Sequence, residues 1–232
     1  EQVEKALAAD GGSIETYVAD LSRMAEVEAF AQAVTEKHTQ LDVLINNAGV
    51  YSTPTPITQD GLDIRFVVNA IAPYLLTQRL MPLMGISGRV INLSSAAQAP
   101  VDLEALAGQV KLSDSAAYAQ SKLALMTWSR AFSCKEDSPS IVAVNPGSML
   151  GSKMVKEAYG VAGGDIRIGS EILSRAALAD EFAAASGQYF DNDIGQFASP
   201  HPDAINPQKS EEIVRSIEAI LAELAQSNDR HL

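Results

Sequence analysis

Three short apolar runs, each closed by a polar turn, set the architecture: LDVLINNAG from Leu41, GRVINLSS from Gly88 and SIVAVNPG from Ser140. They are rich in Val and Ile and too short for helices, so they read as buried strands. Amphipathic stretches separate them. In RMAEVEAFAQAVTEKH the residues Met24, Val27, Phe30, Ala31 and Val34 recur at helical spacing, with Ser22 as the expected N-cap. A long helix runs to about Met84, and another carries SDSAAYAQSKLAL at residues 113–125. Upstream, EQVEKALAAD reads as a helix end closed by Gly11 and Gly12, and SIETYVAD as a strand ending at Asp20. Downstream come a helix at EILSRAALADEFAAA, a short strand at GQYFD and a terminal helix near EEIVRSIEAILAELAQ. Strands alternating with helices in this order pair in parallel through right-handed crossovers. The expected fold is an α/β doubly wound parallel sheet with helices on both faces.

Composition limits what such a domain can do. Its 232 residues are 47% hydrophobic, enough for one large core, with no apolar run approaching the ~20 residues that cross a bilayer. The first residues lack the order of a signal peptide, so no membrane partner and a cytoplasmic location are expected. One cysteine, Cys134, excludes an intramolecular disulfide. Seventeen basic against 29 acidic residues give a net charge of -12, which repels phosphate backbones, so no nucleic-acid partner is expected. His38, His201 and His231 are scattered without triad or metal spacing, and no metal site is expected. His38 reads as a polar cap near a helix C-terminus. In open parallel sheets, ligands bind beyond the carboxyl ends of the strands. The irregular segments 51–58, 96–114, 148–168 and 191–208 are the expected walls of a site.

Tyr118 and Lys122, four apart on a helix, share a face. An ammonium beside a phenol favours the phenolate, which makes Tyr118 an expected general base or acid of lowered pKa. Ser95, at a strand end, could hold a reacting oxygen near it. Each has a plain competitor: a tyrosine packed on the core, a solvated lysine, and Ser94 in place of Ser95.

NNAG at Asn46 to Gly49, VNAIAPYLLT from Val68, NLSS ending at Ser95, YAQSK from Tyr118 to Lys122, and NPG at Asn145 to Gly147 occur in a telling order. Together they resemble the short-chain dehydrogenase/reductase superfamily, from about Asp20 to Phe190. The Ser95 to Tyr118 separation (118 minus 95 is 23) is similar to that of the retinol-dehydrogenase-like and WW-domain-oxidoreductase-like branch. The resemblance implies one Rossmann-like domain over residues 1–232, acting as an NAD(P)-dependent oxidoreductase. Hydride would pass between NAD or NADP and a small-molecule alcohol or carbonyl substrate, and the chain would form a homo-oligomer, dimer or tetramer.

It also implies a catalytic set of Asn69, Ser95, Tyr118 and Lys122, Asn69 keeping a water that links Lys122 to solvent. A helix residue bonding backbone across a kink is the structural reading of Asn69. Asp20 and Leu21 would lie beside the adenine, although a lone strand-end Asp is more often a turn cap. Asn47, Ala48 and Gly49 would border the adenosine ribose, and Asn46 with Asn47 could also order the sheet. Pro146, Gly147, Ser148 and Met149 would meet the nicotinamide, together with Tyr118 and Lys122. Gly151 and Ser152 stand where the family commonly has a threonine.

The chain departs from the family at its start: its 232 residues hold no strand, glycine turn and helix of the TGxxxGxG kind. The expectation is a domain lacking its first βαβ unit and N-terminally truncated. Two functions follow, an oxidoreductase and a non-catalytic dehydrogenase-like scaffold with a regulatory or protein-interaction role.

Overall fold

The computed structural model describes residues 12–134 and 136–229. The helix expected over EQVEKALAAD and its closing Gly11 lie outside the described residues, as does His231.

Helix α1 (Met24–Lys37) leads to strand β1 (Val43–Asn46). A short helix α2 (Ile64–Phe66), a π-helical turn (Val67–Ile71), helix α3 (Ala72–Leu80) and a 3-10 turn (Met81–Leu83) follow end to end. This is the expected long helix, interrupted twice. Strand β2 (Arg89–Leu93), helix α4 (Leu103–Leu106), helix α5 (Asp114–Ser133) and strand β3 (Ser140–Asn145) come next. Helix α6 (Lys153–Tyr159) rises within the segment expected to be irregular. The expected helix over EILSRAALADEFAAA divides at Ala179 into α7 (Arg167–Leu178) and α8 (Asp180–Ala183). Strands β4 (Tyr189–Asp191) and β5 (Gln196–Ala198), a 3-10 turn (Pro202–Ile205) and helix α9 (Pro207–Asp229) complete the chain.

The sheet order is β1-β2-β3-β4-β5. The first four strands are parallel and β5 is antiparallel to β4, a departure from the all-parallel expectation. Successive side chains feed opposite faces. Val90 and Ile141 join a core with α1, α3, α5 and α9, whereas Ile91, Leu93, Val142 and Val144 pack with Ile172 of α7 and Phe182 of α8. Helices therefore cover both faces, as expected.

SIETYVAD is not a strand. Its alternation survives as facing: Tyr17 packs on Phe30 of α1 with ring centroids 5.6 Å apart, while Val18 is fully exposed. Alternation defines which side chains are buried, but a ladder also needs a partner for the backbone, and no described strand lies along this segment. Ser22 is not the N-cap of α1. That position falls to Arg23, and the Ser22 hydroxyl donates to Asp20 instead. His38 is the C-cap, its N–H bonded to the Val34 carbonyl, as the sequence suggests.

Candidate active site

The parallel strands bring Asn46, Leu93, Asn145 and Asp191 to one edge of the sheet. Asn46 Nδ2 donates to Asn92 Oδ1 at 2.7 Å and to Thr77 Oγ1 at 3.1 Å, so it orders the sheet. Asn47 and Ala48, just beyond, are exposed.

Helix α5 starts where Ser113 caps it, accepting from Ala116 N. Two turns in, Lys122 is buried, with Nζ 2.6 Å from the Leu93 carbonyl and 5.6 Å from the centre of the Tyr118 ring. Ser95 lies close enough to the Tyr118 phenol for its hydroxyl to pull the phenol's pKa down, and its Oγ accepts from Ala97 N at 3.1 Å. Ser94 is turned inward, its hydroxyl donating to the Lys122 carbonyl at 3.3 Å. Of the two serines, Ser95 is therefore the one beside the phenol. A Cβ built on Gly49 would lie 3.5 Å from Asn69 Oδ1 and 3.6 Å from both Lys122 Nζ and the Met154 methyl. Asn69, Gly49, Lys122, Tyr118 and Ser95 thus converge. Asn69 sits in the π-helical turn, but its carboxamide bonds the Val50 backbone after β1 and Ser121 of α5 rather than backbone across the kink.

The electrostatics differ from the sequence expectation. Burial pushes the Tyr118 phenol above its ordinary value, with the Ser95 hydroxyl opposing it. Lys122 does not reverse this: its Nζ is directed at the Leu93 carbonyl, and burial lowers its own pKa to about 8. The adjacency is as expected; the direction of the tyrosine shift is the reverse.

The residues expected on the nicotinamide side lie in the turn after β3. Asn192 Nδ2 donates to the Pro146 carbonyl at 3.0 Å, and Gly147 takes a φ of 127°. Ser148 gives both its N–H (2.7 Å) and its hydroxyl (2.5 Å) to Asp193, so neither is directed at a ligand. Met149 is exposed and left-handed at φ 53°. Asp20 lies in a turn, where Ser22 N and Oγ both donate to its Oδ1 and lower its pKa. Leu21 packs on the α1 side of the core. Asp20 thus adopts the turn-cap arrangement.

Sequence spacing missed Tyr51 and Tyr159. The Tyr51 ring lies 5.0 Å from that of Tyr118 and 5.6 Å from that of Tyr159. The hydrogen bond with Tyr159, then burial, push the Tyr51 phenol up to about 12. Its position directly after NNAGV was the one available signal.

Residues 1–160 match the family described as short chain dehydrogenase. The chain belongs to the short-chain dehydrogenase family. Among its relatives, human retinol dehydrogenase 13 is 31% identical over 226 residues, 88% of this chain and 66% of that protein. The Brassica napus short-chain dehydrogenase TIC 32 B, chloroplastic, is 32% identical over 196 residues, 74% of this chain and 61% of that protein. The chain therefore spans about two thirds of the length of these relatives. The landomycin C-6 ketoreductase LanV, solved with bound NADP and rabelomycin, superposes with a TM-score of 0.60 at 27% identity, covering 84% of this chain and 79% of that one. No described helix is long and apolar enough to cross a membrane, and no described group of three or more acidic, histidine or cysteine residues could hold a metal ion.

Proposed function

We propose that this chain carries the proton-transfer site of an oxidoreductase that interconverts an alcohol and a carbonyl with NAD or NADP. The observation that carries the reading is the convergence of Ser95, Tyr118 and the buried Lys122 at the carboxyl edge of a parallel sheet. Gly49, beside Asn69 and Lys122, leaves its backbone open to close approach by a ribose, and Pro146 to Met149 fit the nicotinamide side once Ser148 exchanges Asp193 for the ligand. The nicotinamide, when bound, supplies or accepts the hydride. Ser95 orients the substrate oxygen, and Tyr118 gives it a proton. Burial holds the phenol in its protonated form, the form that serves a carbonyl oxygen as an acid. Lys122, with a pKa of about 8, can reload that proton, with Asn69 keeping the link to solvent.

Met149, Tyr159, Val161, Ile166 and Ile168 are exposed apolar side chains gathered in the segment after β3, which favours a hydrophobic substrate. The relative named as a retinol dehydrogenase supports the same class. A homo-oligomer in the cytoplasm belongs to this proposal, although one relative is named as chloroplastic.

Fluorescence titration with NADH and NADPH, followed by carbonyl-reduction assays of Tyr118→Phe, tests the reading. The variant should lose about 100-fold or more in kcat while its dinucleotide Kd stays within about twofold. Equal turnover in the variant would remove Tyr118 from the role. Failure of the chain to bind either dinucleotide would favour the scaffold alternative.

A further inference from the structure

Arg65 is 1% exposed, and its guanidinium is held on several sides. Nε donates to Asp63 Oδ1 at 2.8 Å and Nη2 to Asp63 Oδ2 at 2.6 Å, a bidentate fork onto the residue that caps α2. Nη1 faces the other way, bonding Asp114 Oδ1 and, at 3.4 Å, the Tyr51 carbonyl. The second oxygen of Asp114 accepts from Ser52 Oγ at 2.8 Å. One buried cation thus joins α2, the 51–52 loop and the first turn of α5.

Asp114 opens α5 four residues before Tyr118 and eight before Lys122, along one helical face. The Tyr51 ring, on the same tether, packs on the Tyr118 ring. Neither helix formation nor charge compensation requires the link to Asp114. Ser113 already caps α5, and Asp63 already neutralises Arg65. The guanidinium makes four bonds here, two of them the bidentate pair to Asp63, more than the three donors of an ammonium supply.

We propose that Arg65 is a positioning residue for the Tyr118 phenol, acting through Asp114 on the helix turn before it and through the Tyr51 carbonyl on the ring that packs against it. This rests on the proton-transfer reading above. Arg65 itself touches no reacting atom.

Asp114→Ala is the informative variant, because Asp114 is 48% exposed and its removal leaves Arg65 paired with Asp63. The measurements are kcat, KM, dinucleotide Kd and the ζ-13C resonance of Tyr118 in tyrosine-labelled full chain, assigned by its loss in Tyr118→Phe. Asp114→Ala should lower kcat about tenfold, leave Kd within about twofold, and shift or broaden the Tyr118 resonance; a misplacement of the reacting group has costs of this order or larger. Asp114→Glu should restore part of both effects, and Arg65→Lys should reproduce the loss. In Arg65→Lys/Asp114→Ala the losses should not add, since the two act as one unit. An unchanged Tyr118 resonance in Asp114→Ala overturns the proposal, whatever kcat does. Unchanged kcat in an active chain overturns it equally. Failure of the wild-type chain to bind a dinucleotide sinks the oxidoreductase reading alone, and the resonance still decides the positioning.

Discussion

The carboxamide of Asn69 holds both polar groups of the Val50 backbone: Oδ1 accepts from Val50 N at 2.7 Å and Nδ2 donates to Val50 O at 2.9 Å. The same Nδ2 reaches Ser121 Oγ at 2.9 Å, and Ser121 donates to the Tyr118 carbonyl at 2.7 Å. A single buried side chain therefore ties the segment after β1 to the helix that bears the phenol.

Replacing Asn69 with Ala should destabilise the chain by about 2–4 kcal/mol, because the Val50 groups lose their partner in a largely dry site. Urea denaturation measures this. A loss below about 1 kcal/mol would show that solvent replaces the amide.

Lys122 makes stability depend on pH with a definite sign. Its folded pKa, about 8, lies below the ordinary value of 10.5. Below pH 8 both states carry the proton, and only the folded state holds the charge in a buried place. Between about pH 8 and 10.5 the unfolded chain binds more protons than the folded one, so stability contributed by this group rises with pH across that window. Tyr74 and Tyr189, raised by burial, oppose the trend above pH 10, which makes the wild-type minus Lys122→Met difference the quantity to follow. Melting temperatures should show Lys122→Met more stable relative to wild type at pH 7 than at pH 10.5. A difference constant in pH would contradict the burial of the amine.

Two glycines with similar backbones separate strain from collision. Gly160 (φ 68°) has open space where a Cβ would go, whereas a Cβ on Gly163 (φ 72°) would lie 2.7 Å from Gly151 Cα. Gly160→Ala should cost about 1–2 kcal/mol, the price of a left-handed conformation alone. Gly163→Ala should cost measurably more and alter the chain's susceptibility to proteolysis in the 149–164 segment. Equal costs in thermal unfolding would mean that the Gly151 contact yields easily.

Elements with strong local codes were legible in the sequence. Ile141, Val142 and Val144 are all buried in β3, and the helix of Tyr118 and Lys122 begins at Asp114 behind its Ser113 cap. Features that depend on partners distant in sequence were not. SIETYVAD shows which side chains turn inward but does not encode a neighbouring strand. The π-helical turn at Asn69 is stabilised by Val50, 19 residues away, and β5 reverses against β4 through a turn at Asp191 to Gly195. The tyrosine shift was misjudged because helical spacing reports adjacency, whereas solvent exclusion around Tyr118 and Lys122 is set by the whole fold. Arg65 gave no signal, since its carboxylates and the Tyr51 carbonyl gather only in three dimensions.

The segment carrying α6 leaves and re-enters the scaffold through main-chain bonds, Gly151 N to Gly164 O and Gly164 N to Met149 O, both at 2.7 Å, and α6 buries none of its residues. Tyr159 also packs on Tyr51 and the Met154 methyl lies beside Gly49, so it is the residues of the detour outside these contacts that can be rewritten while the sheet beneath keeps its registration.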